Sequence, residues 1–253
     1  MKGDAPLKLA ARLRQHKFSV ERKLCLVEGW KCYAEASARS APWATILDEE
    51  ASAPFAERFG SEVSEKTWTV NSREMKKLCD TLTPEGILGI FPRPAVREGF
   101  PDFAGLHLAL MDWRNPGNVG AAVRTARGLG ASSVTLWGSG PDFFSPKVIR
   151  GAMGSVFHLP LFHAEREALP PAACSVLLGD AAGEPVDRLA LPDSEILLLV
   201  IGSESGGIGE ELGRLGPRVC LPLSGGLESL GAPTAAALLL DRLTARRKQC
   251  QNG

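Results

Sequence analysis

Continuous apolar runs recur through the second half of the chain, at Leu106 to Met111, Ser175 to Leu178, Ile196 to Ile201 and Val219 to Leu223. Ser175 to Leu178 and Ile196 to Ile201 predict strands buried on both faces, and Val219 to Leu223 another short strand. Ser133 to Trp137 reads as a further strand. Between these runs the period changes. Val119, Ala122, Val123, Ala126 and Leu129 fall at helical spacing, just after Asn115-Pro116, a turn and helix-start signal. Thr234 to Lys248 predicts a last helix whose basic end (Arg242, Arg246, Arg247, Lys248) suits a helix C-terminus. Strands alternating with helices predict an α/β domain with a mainly parallel sheet. Upstream the pattern is shorter in range: an apolar run at Leu24 to Val27, then a helix-like segment from Trp30 to Arg39. FPRPAVREGFP, residues 91–101, has three prolines and a glycine and reads as a connector. The division expected is therefore 1–95, a linker at 96–104, and 105–253.

Composition narrows the class. The 253 residues are 44% apolar and 23% charged, which suits one large or two small folded domains and excludes wholesale disorder. The longest apolar runs, Ile196 to Ile201 and Ala235 to Leu240, fall far short of the ~18 residues of a membrane helix. The first residues, MKGDAPLKLAARLRQHK, lack a signal-peptide core, so a cytoplasmic protein with no membrane partner is expected. Six cysteines (Cys25, Cys32, Cys79, Cys174, Cys220, Cys250) show no C-x-x-C and no His at ligand spacing, which predicts reduced thiols and no metal.

Charge changes the picture only when it is localised. Lys+Arg and Asp+Glu are 29 each, which argues against a uniformly basic nucleic-acid binder. Yet residues 1–39 carry nine Lys/Arg against four acids, a net of +5, and residues 40–65 carry six acids against one base, a net of −5. The basic stretch, with Arg12, Arg14, Lys17, Arg22 and Lys23, is a candidate phosphate-contacting surface.

Three glycine-rich segments follow expected strands: NPGNVGAAVRTARGLGA (115–131), IGSESGGIGEEL (201–212) and LPLSGGLESLGAPTAAALLL (221–240). Glycine lets backbone approach a ligand closely, and ligands of open α/β sheets bind beyond the carboxyl ends of the strands. A P-loop, a G-x-G-x-x-G dinucleotide fingerprint, a G-x-S-x-G elbow and an H-E-x-x-H site are all absent from the sequence.

These segments, in this order, resemble the SpoU family of the SPOUT methyltransferases. The first motif is Asn118-Val119-Gly120 with Arg124. The second is Gly202-Ser203-Glu204-Ser205-Gly206-Gly207. The third is Leu221-Pro222-Leu223, then Ser229-Leu230-Gly231, then a small-residue helix. DFFSPKVIRGAMGSVFHLPL (142–161) is similar to the family's connecting region. LVEGWKCYAEA (26–36) and TPEGILGIF (83–91) resemble, more loosely, a preceding RNA-binding domain similar to a small ribosomal protein.

The resemblance implies a C-terminal trefoil knot and a homodimer formed through it. It also implies S-adenosylmethionine as methyl donor and a ribose 2′-hydroxyl of RNA as acceptor, ribosomal RNA before transfer RNA. It assigns catalysis to Arg124, Asn118, Glu204 and Ser229, and places the cofactor against Ile201, Gly202, Leu221, Leu230 and Ser229. Arg127, Lys147 and Arg150 join the N-terminal bases as expected RNA contacts. An always-protonated Arg serves more readily as phosphate clamp and oxyanion stabiliser than as free base. One position departs: Gly231 stands where the family has Asn, which removes a polar side chain. That departure keeps a non-catalytic RNA-binding relative as the alternative.

Overall fold

The computed structural model describes residues 5–60, 66–203, 206–224 and 230–251. Contacts divide the chain into two compact units, one of residues 1–94 with 142–158, the other of residues 95–141 with 159–253.

The first unit begins with helices α1 (Ala5–Leu13) and α2 (His16–Arg22), followed by strand β1 (Leu24–Glu28) and helix α3 (Trp30–Ser37). Strand β2 (Ala44–Asp48), helix α4 (Ser52–Phe59), strand β3 (Thr67–Val70), helix α5 (Ser72–Leu78) and strand β4 (Ile87–Pro92) complete it. The sheet order is β1-β4-β2-β3, with β4 antiparallel to both neighbours and β2 parallel to β3. On one face Leu26, Ile46, Leu88 and Ile90 pack with Leu13, Phe18, Met75 and Leu78. Elsewhere in the unit Tyr33 meets Phe91 edge-on, at a centroid distance of 5.1 Å. Gly89 makes room for that pair: a Cβ there would lie 2.3 Å from the Phe91 ring and 2.9 Å from the Tyr33 ring. Helix α5 starts on a capping box, in which Asn71 accepts from the Arg73 and Glu74 amides and Glu74 accepts from the Asn71 amide.

The second unit opens with a short edge strand β5 (Arg97–Glu98), inside the stretch expected to be a linker. Strand β6 (Gly105–Met111), helix α6 (Pro116–Gly128) and strand β7 (Ser133–Trp137) follow. The chain then contributes helix α7 (Pro146–Gly151) and a single 3₁₀ turn (Ser155–Phe157) to the first unit. The join is made by side chains. Arg93 donates twice to Asp142, at 2.7 and 2.6 Å, and its guanidinium lies over the Phe144 ring. Returning to the second unit are β8 (Leu161–Ala164), β9 (Cys174–Pro185), β10 (Ile196–Gly202), β11 (Arg218–Cys220) and helix α8 (Ala232–Gln251).

This sheet is parallel throughout, in the order β11-β9-β10-β6-β7-β8-β5. From β6 the chain walks outward through β7 and β8, crosses to β9, and then places β10 between β9 and β6. The boundary between β6 and β10 is a topological switch point. One face is filled by Ala109, Met111, Val176, Leu178, Leu198 and Val200 under Ile208 and Leu212. Helices α6 and α8 pack on each other, and α8 lies against β9 and β10. Strand β11 is shorter than the run 219–223 suggested: it ends at Cys220, and Leu221 to Leu223 continue as loop. No helix of the described residues is long and apolar enough to cross a membrane.

Candidate active site

The middle of β9 and the carboxyl ends of β10 and β11 open onto a cavity of about 540 Å³. Its floor is made by distortion of the sheet. Arg218 pairs with Leu178 but Val219 pairs with Glu184, so residues 179–183 of β9 bulge out of register. Gly179, Asp180 and Ala181 from that bulge line the cavity. Beside them on the neighbouring strand stand Ile201, the register partner of Gly179, with Gly202 and Ser203, and the lining is completed by Leu221 to Leu223 after β11 and by Leu230, Ala235 and Leu239 around the start of α8. The loop after β10 doubles back tightly, with Ser203 and Gly207 forming an antiparallel bridge. A Cβ on Gly202 would lie 2.1 Å from the Gly207 carbonyl oxygen, so only glycine allows the two arms to close. The walls are mainly apolar. Asp180, the one charged residue of the described lining, is ion-paired with Arg218.

A smaller cavity of about 200 Å³ adjoins it and shares Ser203 and Ala232. It lies at the switch point, between the ends of β6 and β10. Asp112, Trp113, Arg114, Asn115 and Asn118 complete its lining. Trp113, 3% exposed, fixes the β6–α6 loop to β10: its Nε1 donates to the carbonyls of Ile201 and Gly202, both at 3.0 Å. Asn115 starts α6, its Oδ1 accepting from the amides of Gly117 at 2.8 Å and Asn118 at 3.3 Å, with Pro116 in the first turn.

The residues expected to act from sequence fall into three places. Asn118 lines the smaller cavity, and Ile201, Gly202, Leu221 and Leu230 line the larger one. Arg124 sits on α6, exposed and outside both linings. Glu204 and Ser229 lie outside the described residues. Gly231 precedes α8 and lines the larger cavity, and its carbonyl accepts from the amides of Thr234 and Ala235.

The expected RNA contacts separate by partner. Arg12, Arg14, Lys17, Arg22, Lys23 and Lys147 are exposed, whereas Arg127 and Arg150 are half-buried. Arg12 and Arg22 both lie over the Phe18 ring, at 3.9 and 5.3 Å. Arg14, Lys147 and Arg150, distant in sequence, converge on Asp80 at 3.3, 4.0 and 3.6 Å, and Arg150 also reaches the buried Glu28. Three cations around two carboxylates leave a modest positive excess.

Sequence reasoning did not single out Trp113 and Arg114. The dipeptide breaks no period and matches no motif. Its one signal is position, between an apolar run and a capped helix start. Among the described residues no group of three His, Cys, Asp or Glu could hold a metal, and five cysteines are free.

Comparison with known proteins places this geometry. The model of the SpoU rRNA Methylase family matches residues 105–241, more than half of the chain. The mitochondrial rRNA methyltransferase 3 of Xenopus laevis is 27% identical over 98% of this chain and 77% of its own length. The 23S rRNA (guanosine(2553)-2′-O)-methyltransferase of Bacillus subtilis is 30% identical over 65% of this chain and 66% of its own. An AdoMet-bound rRNA methyltransferase from Sinorhizobium meliloti is similar in structure, with TM-score 0.76, 25% identity, and coverage of 96% of this chain and 94% of that one. The chain spans only 55% of the corresponding mouse protein. With the two cavities built from the loops that carry the family's motifs, and more than half its length inside the family pattern, the chain belongs to the SpoU rRNA methylase family.

Proposed function

We propose that this chain transfers a methyl group from S-adenosylmethionine to a ribose 2′-hydroxyl of RNA, with ribosomal RNA as substrate. The observation that carries the reading is the pair of adjoining cavities. The larger is glycine-rimmed with the apolar side chains of Ile201, Leu221, Leu230 and Leu239 on its lining, and the smaller carries the polar side chains of Asn115, Asn118 and Ser203. The larger suits a nucleoside: its volume is in the range of small-molecule sites, and its backbone-rich rim around Gly202, Leu221 and Leu230 can hydrogen-bond an adenine while Ile201 and Leu239 cover the ring. The bound cofactor supplies an activated methyl on a sulfonium, so no metal is needed to polarise the donor.

The chain's own residues have to orient the acceptor oxygen and help it lose a proton. Asn118 orients the ribose from the smaller cavity. Arg124 holds the adjacent phosphate and stabilises the developing alkoxide. Glu204 steadies Arg124 or its loop, and Ser229 hydrogen-bonds near the reacting ribose. Because Arg124 faces solvent away from both linings, the working unit in this reading is a homodimer joined through a knotted C-terminal region. Residues 1–95 present the RNA, Arg127 and the bases of the first unit touch its backbone, and the setting is cytoplasmic.

The test is incubation with labelled S-adenosylmethionine and RNA fractionated into ribosomal and transfer pools, followed by nucleoside digestion. Label recovered as a 2′-O-methyl nucleoside from the ribosomal pool is expected. Label confined to bases would overturn the reaction, and label confined to the transfer pool would overturn the substrate. Gly231 favours a second reading, a non-catalytic RNA binder. Calorimetry separates the two, because such a relative would bind neither S-adenosylmethionine nor its demethylated product.

A further inference from the structure

The smaller cavity carries one feature that the motifs do not assign, the guanidinium of Arg114. Two side chains of its described lining are charged, Asp112 and Arg114. Asp112 is fully engaged. Its Oδ1 accepts from the Ser139 amide at 2.9 Å, and its Oδ2 is ion-paired with Arg166. The backbone at Asp112 is held at φ 54°, and Gly138 leaves the space its carboxylate fills, since a Cβ there would lie 2.5 Å from Oδ1. Such an over-determined residue belongs to the scaffold. Arg114 is the opposite: exposed, and without a hydrogen bond or ion pair among the described residues. Its backbone is nonetheless fixed on both sides, by the Trp113 indole on the Ile201 and Gly202 carbonyls and by the Asn115 cap of α6. An exposed guanidinium with no partner among the described residues, on a fixed backbone, therefore adds positive charge to the cavity beside the cofactor-sized one.

We infer that Arg114 is a substrate-positioning residue which clamps an RNA phosphodiester at the mouth of the smaller cavity, holding the neighbouring ribose toward the larger one. The inference rests on the function proposed above. The chemistry favours phosphate over a base edge. A planar fork with five donors fits two phosphate oxygens at once. Of the other polar side chains in the lining, Asn115 has its Oδ1 engaged by the Gly117 and Asn118 amides, which takes it away from reading a base edge. Arg114 then places the strand through one phosphate, while Arg124 keeps its proposed role at the phosphate and oxygen of the reacting nucleotide.

The test uses the full chain with ribosomal RNA. Arg114→Gln should raise the KM for RNA about tenfold with kcat changed less than about twofold. It should leave S-adenosylmethionine affinity unaltered, and reduce the slope of log affinity against log salt by about one. Arg114→Lys should keep the slope and recover part of the affinity, since it restores charge without the fork. An Arg114→Gln variant that methylates with the wild-type KM and salt slope overturns the inference. So does one that loses cofactor affinity in step with RNA affinity, because that marks a folding role. If the wild type binds RNA but transfers no methyl, the proposed function falls, and the salt slope still reports whether Arg114 holds phosphate.

Discussion

The proposed roles of Arg124 and Gly202 lead to opposite expectations for their replacement. Arg124 is exposed on α6 and lines neither cavity, so its replacement should spare what the cavities do alone. Arg124→Ala is expected to lower kcat by about 100-fold or more, while calorimetric affinity for S-adenosylmethionine stays within about twofold. Retained turnover would remove Arg124 from the reaction. Gly202 acts by having no side chain. A Cβ at 2.1 Å from the Gly207 oxygen has to spread the loop that rims the larger cavity. Gly202→Ala is expected to weaken cofactor binding about tenfold, with lowered Tm, a loss of the size that backbone strain produces. The buried thiols are inert for a related local reason. Burial pushes Cys25 and Cys79 up to about 12 and Cys32 to about 11. Iodoacetamide at pH 8 should leave all three unmodified until the protein is denatured. The thiols were legible from sequence as reduced cysteines, but which of them are shielded is a property of the packed units.

At the scale of elements, two side chains report how strands and segments are joined. His107 lies in the middle of β6, fully buried, with Nδ1 2.8 Å from the Ser133 hydroxyl on β7 and Nε2 2.9 Å from the Phe103 carbonyl. Burial lowers its pKa, as does the Arg247 charge, against a smaller opposing effect of the Phe103 bond. The folded protein therefore keeps this ring neutral, and unfolding takes up a proton below the ordinary value of about 6.5. The contribution is complete above that pH and declines as pH falls toward the depressed folded value. Thermal melts between pH 8 and 5.5 should show Tm falling on the acid side, and His107→Leu should flatten the slope while lowering Tm throughout.

Asp142 works in a lower window. Burial opposes its ionisation, but the Arg93 hydrogen bonds and charge more than reverse this, and its pKa lies below the usual carboxylate range. Its stabilisation is present above the ordinary value near 3.8 and is lost as pH falls below it. Side chains of both partners are 10% exposed, so Arg93→Ala strands a largely buried charge. About 3 kcal/mol should be lost at neutral pH, measured by urea unfolding. A loss under about 1 kcal/mol would show that the join between β4 and residues 142–158 lies in packing alone.

For the whole molecule, the balance of 29 bases against 29 acids resolves into local fields. Arg14, Lys147 and Arg150 share Asp80 and Glu28, while Arg114 has no hydrogen bond or ion pair among the described residues. RNA affinity should therefore show a shallow salt dependence, equivalent to a few phosphate contacts. A slope like that of a polybasic tail would contradict this distribution of charge. The apolar runs, the helical spacing in α6, the glycine-rich loops and the family they resemble could all be read from the chain alone. These are short-range signals: burial on two faces, a 3.6-residue period and glycine's backbone freedom each leave a mark within a few neighbouring positions. Tertiary structure alone decided that β10 lies between β6 and β9 and that β9 bulges over residues 179–183. It also decided that residues 142–158 fold with the first unit and that Trp113 pins the loop presenting Arg114. Periodicity reports that a residue will be buried, not what it will be buried against. That pairing depends on contacts between segments far apart in sequence, which no local pattern encodes.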